Sequence, residues 1–196
     1  MKSFRPLVLA LLLPLSSFAA ERFLKLDPAS SYVDVDVSVT MDSFTAHLDN
    51  YELRATADDK KSVKSTVLAF KFADLKTGKP DRDAKMIEWL GGGDPTGKFE
   101  AGIIALTPDG QGRVTGYLTM HGEKSLVEFP VLVTKTPEGV ITITGEATVD
   151  YRNWKLKVIR MAMVMKVDPE VKVRFKFTGT PGDIVPPPTS AAAPAK

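Results

Sequence analysis

The sequence predicts an all-β domain: an antiparallel barrel of about eight strands with a short capping helix. Three observations carry this. Apolar residues recur at every second position along most of the chain, as they do in half-buried strands whose side chains alternate between two faces. Turn signals separate these runs at hairpin distance, which favours a meander over long parallel crossovers. The period of two breaks clearly in one place, between Asp81 and Leu90.

Taken in order, residues 1–19 read as a secretory signal peptide. Lys2 and Arg5 precede an apolar core from Leu7 to Leu15, and Ser17-Phe18-Ala19 offers small residues around a cleavage site after about Ala19. A membrane-spanning helix needs about 20 apolar residues, more than this core supplies. A periplasmic or extracellular location is therefore expected, with no stable membrane insertion. The expected domain spans residues 20–179.

Within it, Val33, Val35, Val37 and Val39 alternate with Asp34, Asp36 and Ser38. Leu68, Phe70 and Phe72 repeat the pattern, as do Phe99, Ala101, Ile103 and Ala105. Val114 to Met120, Val127 to Val133 and Val171 to Phe177 continue it, the last interleaved with Lys172, Arg174 and Lys176. Thr107-Pro108-Asp109-Gly110 and Thr136-Pro137-Glu138-Gly139 are the clearest turns. A two-sheet sandwich shares this alternation, whereas eight strands suffice to close a barrel and remove its edges.

In the exceptional segment, Met86, Trp89 and Leu90 stand at helical spacing, and Asp81 and Asp83 suit a helix N-terminus. Gly91-Gly92-Gly93 stops the helix, expected near Asp83 to Leu90. Ile159, Met161, Met163, Met165 and Val167 also alternate, and their methionines suit either a core or a deformable binding surface. The preceding Asn153-Trp154-Lys155-Leu156 reads equally as a helical turn or a loop. Residues 180–196, rich in Pro and Ala, read as a disordered tail.

Composition excludes several functions. The chain has no cysteine, so neither a disulfide framework nor a thiol for lipid attachment exists. Its formal charge of +2 falls to zero once Lys2 and Arg5 leave with the leader. No strongly basic surface remains to displace counterions from nucleic acid. Hydrolytic triads lack both a Gly-x-Ser-x-Gly elbow and a cysteine, leaving His47 and His121 as the only imidazoles. Two histidines so far apart form no metal motif, and neither metal nor cofactor is expected.

The polar signals that remain are few. Arg82-Asp83 reads either as a partner for an anionic head group, through Arg82, or as a pair pinning the helix to the barrel rim. His121 follows Tyr117 and Thr119 along one strand face and reads as a hydrogen-bonded structural residue or a head-group contact.

The blocks Thr77-Gly78, Arg82-Asp83, Phe99 and Val114-Thr115-Gly116-Tyr117-Leu118-Thr119-Met120-His121-Gly122 resemble the pattern of the YceI-like family. The chain departs from it at Asp94-Pro95, at Phe44 to Leu48 where a glycine is missing, and at Tyr151-Arg152-Asn153-Trp154. The resemblance implies a lipocalin-like barrel whose interior holds a polyisoprenoid or similar amphiphile, its polar end near the mouth.

The expected function is thus noncovalent carriage of an isoprenoid or other lipid ligand, without catalysis. Expected lining residues are Leu68, Phe70, Phe72, Phe99, Ile103, Val114, Leu118, Phe129, Val131, Met161, Met163 and Phe175, with Arg82 and His121 at the head group. Gly116 shares a face with Val114 and Leu118, and either leaves room for a bound chain or eases a strand bend. Two other readings stay open: an envelope-stress structural protein with a filled core, and an enzyme using His121 on a small apolar substrate. A homodimer is compatible with all three.

Overall fold

The computed structural model describes residues 22–40, 42–57, 63–102, 104–161 and 165–184. The signal peptide expected over 1–19 lies outside them, as do Ile103, Met163 and most of the expected tail.

Eight antiparallel staves close on themselves. The first consists of β1 (Arg22–Leu26) and β2 (Tyr32–Val39), joined by a single 3-10 turn at Pro28–Ser30. The second runs through β3 (Asp42–Leu48) into β4 (Tyr51–Ala57). The third is β5 (Val63–Lys71) and the two-residue β6 (Leu75–Lys76), separated by a 3-10 turn at Phe72–Asp74. After the helix α1 (Pro80–Trp89) come β7 (Thr96–Ala101), β8 (Gln111–Met120), β9 (Glu123–Lys135) and β10 (Ile141–Asp150). A crossing segment then carries a 3-10 turn (Tyr151–Trp154) and a small hairpin of β11 (Arg160–Met161) and β12 (Met165–Lys166). The chain returns as β13 (Glu170–Ile184).

β13 closes the barrel. One edge pairs with β10 from Ile141↔Gly179 to Asp150↔Glu170. The other pairs first with β2, where Val35 faces Val173, and then with β1, where Leu26 faces Gly179. The expected domain boundary at 179 therefore falls inside a strand: 180–184 extend β13 and its ladder to β1. The Pro-rich composition hid this continuation, although Pro181 itself lies opposite Leu24.

The period of two locates the inward face correctly. Val33, Val114, Val127, Phe129, Val131 and Phe177 are buried, while the residues between them face solvent. The Thr107–Gly110 turn leads into β8, and the Thr136–Gly139 turn joins β9 to β10. Two runs end earlier than their pattern. Phe72 leaves β5 for a 3-10 turn, and β7 stops at Ala101.

The helix starts at Pro80, where a proline costs no hydrogen bond, and has Asp81 and Asp83 in its first turn. Lys79, at the N-cap, supplies no side-chain cap. Instead Asp83 reaches back, accepting from Thr77 N at 3.0 Å and Thr77 Oγ1 at 2.6 Å. At the other end Gly91 and Gly92 take φ of 102° and 74°, a region that suits glycine, and donate to Glu88 and Ile87 carbonyls.

Helix and crossing segment cover the same end of the barrel. The Trp89 indole donates to Lys157 O at 2.8 Å, and its ring meets Tyr151 edge-on at 5.0 Å. Asn153-Trp154 resolves as a 3-10 turn. Lys155 takes a left-handed conformation (φ 59°), and Trp154 drives inward to donate to Leu118 O at 2.9 Å.

Candidate functional site: an apolar lumen with a charged rim

The inward faces of the staves enclose a cavity of about 900 Å³. That is near the upper end of the ~300–1,000 Å³ typical of small-molecule sites. Its wall is aliphatic and aromatic over most of its length. Val33, Val35, Val37 and Val39 supply one side, and Val127, Phe129, Val131 and Val133 another. Aromatic rings dominate the middle. Phe99 lies 5.6 Å from Phe129, Phe129 lies 5.6 Å from Phe175, and Phe175 stacks on Phe177 at 5.3 Å. Phe177 reaches Tyr51 at 5.7 Å.

Charge gathers at one place. Asp42 on β3 and Lys79, Asp81, Arg82 and Lys85 at the start of α1 line the cavity's mouth. The Arg82 guanidinium lies 3.8 Å over the Phe44 ring. Such stacking holds the planar cation in place while leaving its edge N–H groups free to meet an anion. The two readings of Arg82-Asp83 therefore separate. Asp83 turns back to Thr77 and anchors the helix, whereas Arg82 faces the lumen. Uncharged polar lining residues are few: Thr66, Thr77 and Tyr151, whose hydroxyl donates to Val167 O at 3.4 Å and whose burial raises its pKa.

Most sequence-predicted lining residues converge. Leu68, Phe70, Phe72, Phe99, Val114, Leu118, Phe129, Val131 and Phe175 all border the cavity, as does Arg82. Ile103, Met163 and the side chain of Met161 lie outside the described residues. His121 is elsewhere. β8 ends at Met120, and His121 takes φ of 50° in the turn to β9, exposed, with Nδ1 3.2 Å from Trp154 O. It is not part of the cavity wall, so the expected head-group contact is corrected to a turn residue. The strand pattern predicted its face as though β8 continued; Gly122, with φ of 75°, marks the turn.

Gly116 differs from the expectation that it leaves room for a bound chain. A Cβ there would lie 2.5 Å from Phe99 Cζ and 2.7 Å from Glu100 O. The space above it is filled by the Phe99 ring rather than left for a ligand. Residues that the site expectation omitted, Phe44, Trp89, Tyr151 and Phe177, line the cavity too. For Phe177 and Phe44 the signal was present in the alternation of β13 and of β3, where Phe44, Ala46 and Leu48 share the inward face; for Trp89 and Tyr151 it depended on how the cap folds over the mouth.

Among the described residues no group of three or more His, Asp or Glu side chains is placed to hold a metal ion, and no helix is long and apolar enough to cross a membrane. In solved structures the same barrel recurs at low sequence identity. BcnA of Burkholderia cenocepacia is 19% identical, with a TM-score of 0.66, over 80% of this chain and 100% of that one. A polyisoprenoid binding domain from Saccharophagus degradans is 14% identical, with a TM-score of 0.61, over 84% and 100%. The Campylobacter jejuni YceI protein is 14% identical, with a TM-score of 0.56, over 70% and 85%. No curated protein matches the chain. The sequence profile of the YceI-like domain matches residues 24–179, nearly the whole described barrel, and the chain belongs to that family.

Proposed function

We propose that this chain is an exported carrier that holds a polyisoprenoid or similar long-chain amphiphile inside its barrel. The observation that carries the reading is the pairing of a roughly 900 Å³ apolar lumen with charges concentrated at its mouth. Each buried methylene of a bound chain contributes about 0.8 kcal/mol, so a chain of several isoprene units binds without any buried polar contact. The lumen wall in turn gains the van der Waals partners that an empty cavity denies it. Family membership and the binding named for the Saccharophagus domain point the same way.

The filled-core reading finds little support in a lumen of this size. The enzyme reading loses its proposed base, because His121 lies outside the cavity on the turn to β9. Delipidated protein titrated with solanesol tests the proposal. Saturable uptake near one chain per barrel is expected; no uptake, with the barrel folded, overturns it. Export is tested separately. The leader should be removed after about Ala19, and osmotic shock should release a product beginning at Ala20. Recovery of full-length chain from the cytoplasm would contradict that part.

A further inference from the structure

At three glycines on the inner wall a phenylalanine ring from the neighbouring strand lies across the position. A Cβ built on Gly97 in β7 would lie 2.2 Å from Phe70 Cζ, and one on Gly116 in β8 2.5 Å from Phe99 Cζ. On Gly145 in β10 it would lie 2.5 Å from Phe175 Cζ. The pairs follow the ladders: Phe70 faces Gly97 directly, and so does Phe175 face Gly145, while Phe99 sits one inward position from Gly116's partner, Ala101. A phenylalanine pointing into a barrel normally projects toward the axis. Here each ring lies flat against the wall, because its neighbour has no Cβ to hold it off.

We infer that Gly97, Gly116 and Gly145 determine what the lumen admits: they seat the aromatic rings against the wall and so set the width open to an apolar chain. The inference rests on the carrier reading and adds the residues that govern which chains fit. The glycines themselves touch little of a ligand; they act through the rings as positioning residues. Gly97 is the clean test position. The nearest atoms to its missing Cβ are Phe70 Cζ, Cε1 and Cε2, the far end of a side chain. At Gly116 and Gly145 backbone oxygens of Glu100 and Pro130 also stand within 2.7 and 2.9 Å, so a methyl there strains the sheet as well.

Gly97→Ala should therefore push the Phe70 ring off β7. With Phe72 already 5.2 Å away, the lumen is the space left to it. Solanesol binding should weaken about tenfold or more, a cost of ~1.4 kcal/mol. Phe70→Leu removes the three ring atoms in conflict, so Gly97→Ala with Phe70→Leu should recover most of the lost affinity. A crystal structure of Gly97→Ala, without ligand, reads the ring position independently of binding. A ring swung into the lumen, with affinity lost in the single variant and recovered in the double, supports the inference. So does a single variant that fails to fold beside a double variant that folds and binds. An unmoved ring, wild-type affinity in Gly97→Ala, or a double variant as impaired as the single overturns it. If the wild type binds no solanesol but the ring still swings, the carrier reading fails and the seating of the rings stands.

Discussion

Trp154 has the most deeply buried large side chain of the described residues, and its indole N–H donates to Leu118 O on β8. It therefore does two things, filling the capped end of the barrel and satisfying a strand carbonyl. Trp154→Ala should cost about 3–5 kcal/mol in urea unfolding, a large part of the ~5–15 kcal/mol that holds a typical domain together. Trp154→Phe keeps most of the apolar volume and should lose only about 1–3 kcal/mol. Equal losses would mean that the hydrogen bond, not the volume, dominates. Arg82 offers a different test, since it stacks on Phe44 at the mouth rather than within the core. Arg82→Gln should weaken a polyprenyl phosphate by about tenfold through loss of a charge-assisted contact, and leave the uncharged polyprenol near wild type. Parallel weakening of both ligands would assign Arg82 to shaping the mouth instead. The sequence offered an anion contact and a helix pin as alternatives for the Arg82-Asp83 pair, and the structure divides them between the two residues. Arg82 and Asp83 are adjacent and opposite in charge, yet one faces the lumen and the other Thr77 because they sit about 100° apart around the helix.

At the scale of elements, α1 depends on Asp83 for its attachment, because its N-cap residue Lys79 provides no side-chain bond. Asp83→Ala removes the acceptor for two Thr77 donors and should raise amide exchange across α1 while the strands stay protected. Unchanged exchange would show that Trp89, bonded to Lys157 O, holds the helix alone. The seam between β2 and β13 has a charged counterpart on the outer face. Arg174 donates to Asp36 at 2.5 and 3.0 Å, and Thr45 donates to the same carboxylate at 2.6 Å. These bonds, Arg174 first, hold the Asp36 pKa below the ordinary carboxylate value. A depressed folded pKa adds stability that is complete above the unfolded value and lost as pH falls through the folded one. Wild type should thus lose this contribution only in the acid range, and Arg174→Gln should flatten that part of the stability–pH profile. The pair is too exposed for a large effect near neutrality. A profile identical in both proteins would place the acid sensitivity elsewhere.

For the whole molecule, the sequence makes the strand faces legible because burial on one side of a sheet imposes a period of two, independent of which strands pair. Val33 to Val39, Val127 to Val133 and Val171 to Phe177 all keep that phase in the barrel. What depends on register is hidden. Phe70 meets Gly97 and Phe175 meets Gly145 across ladders that no local pattern specifies. Strand ends are hidden for another reason: His121 continues an alternation that turn geometry interrupts, β7 stops at Ala101 short of its pattern, and 180–184 continue a strand that their composition argues against. The helix was legible because three glycines and two early acidic residues bracket it, but its start at Pro80 moved three residues ahead of the expected Asp83. The cavity itself follows from closure, which eight amphipathic staves achieve only when β13 finds both β10 and the β1–β2 line. The central claim, that this lumen carries a long apolar chain, is tested most directly by native mass spectrometry of the protein purified without detergent. The account predicts a mass increment that organic solvent removes and that an added polyprenol restores, near one per barrel. A bare mass before extraction, together with no adduct after incubation with polyprenol, would contradict it.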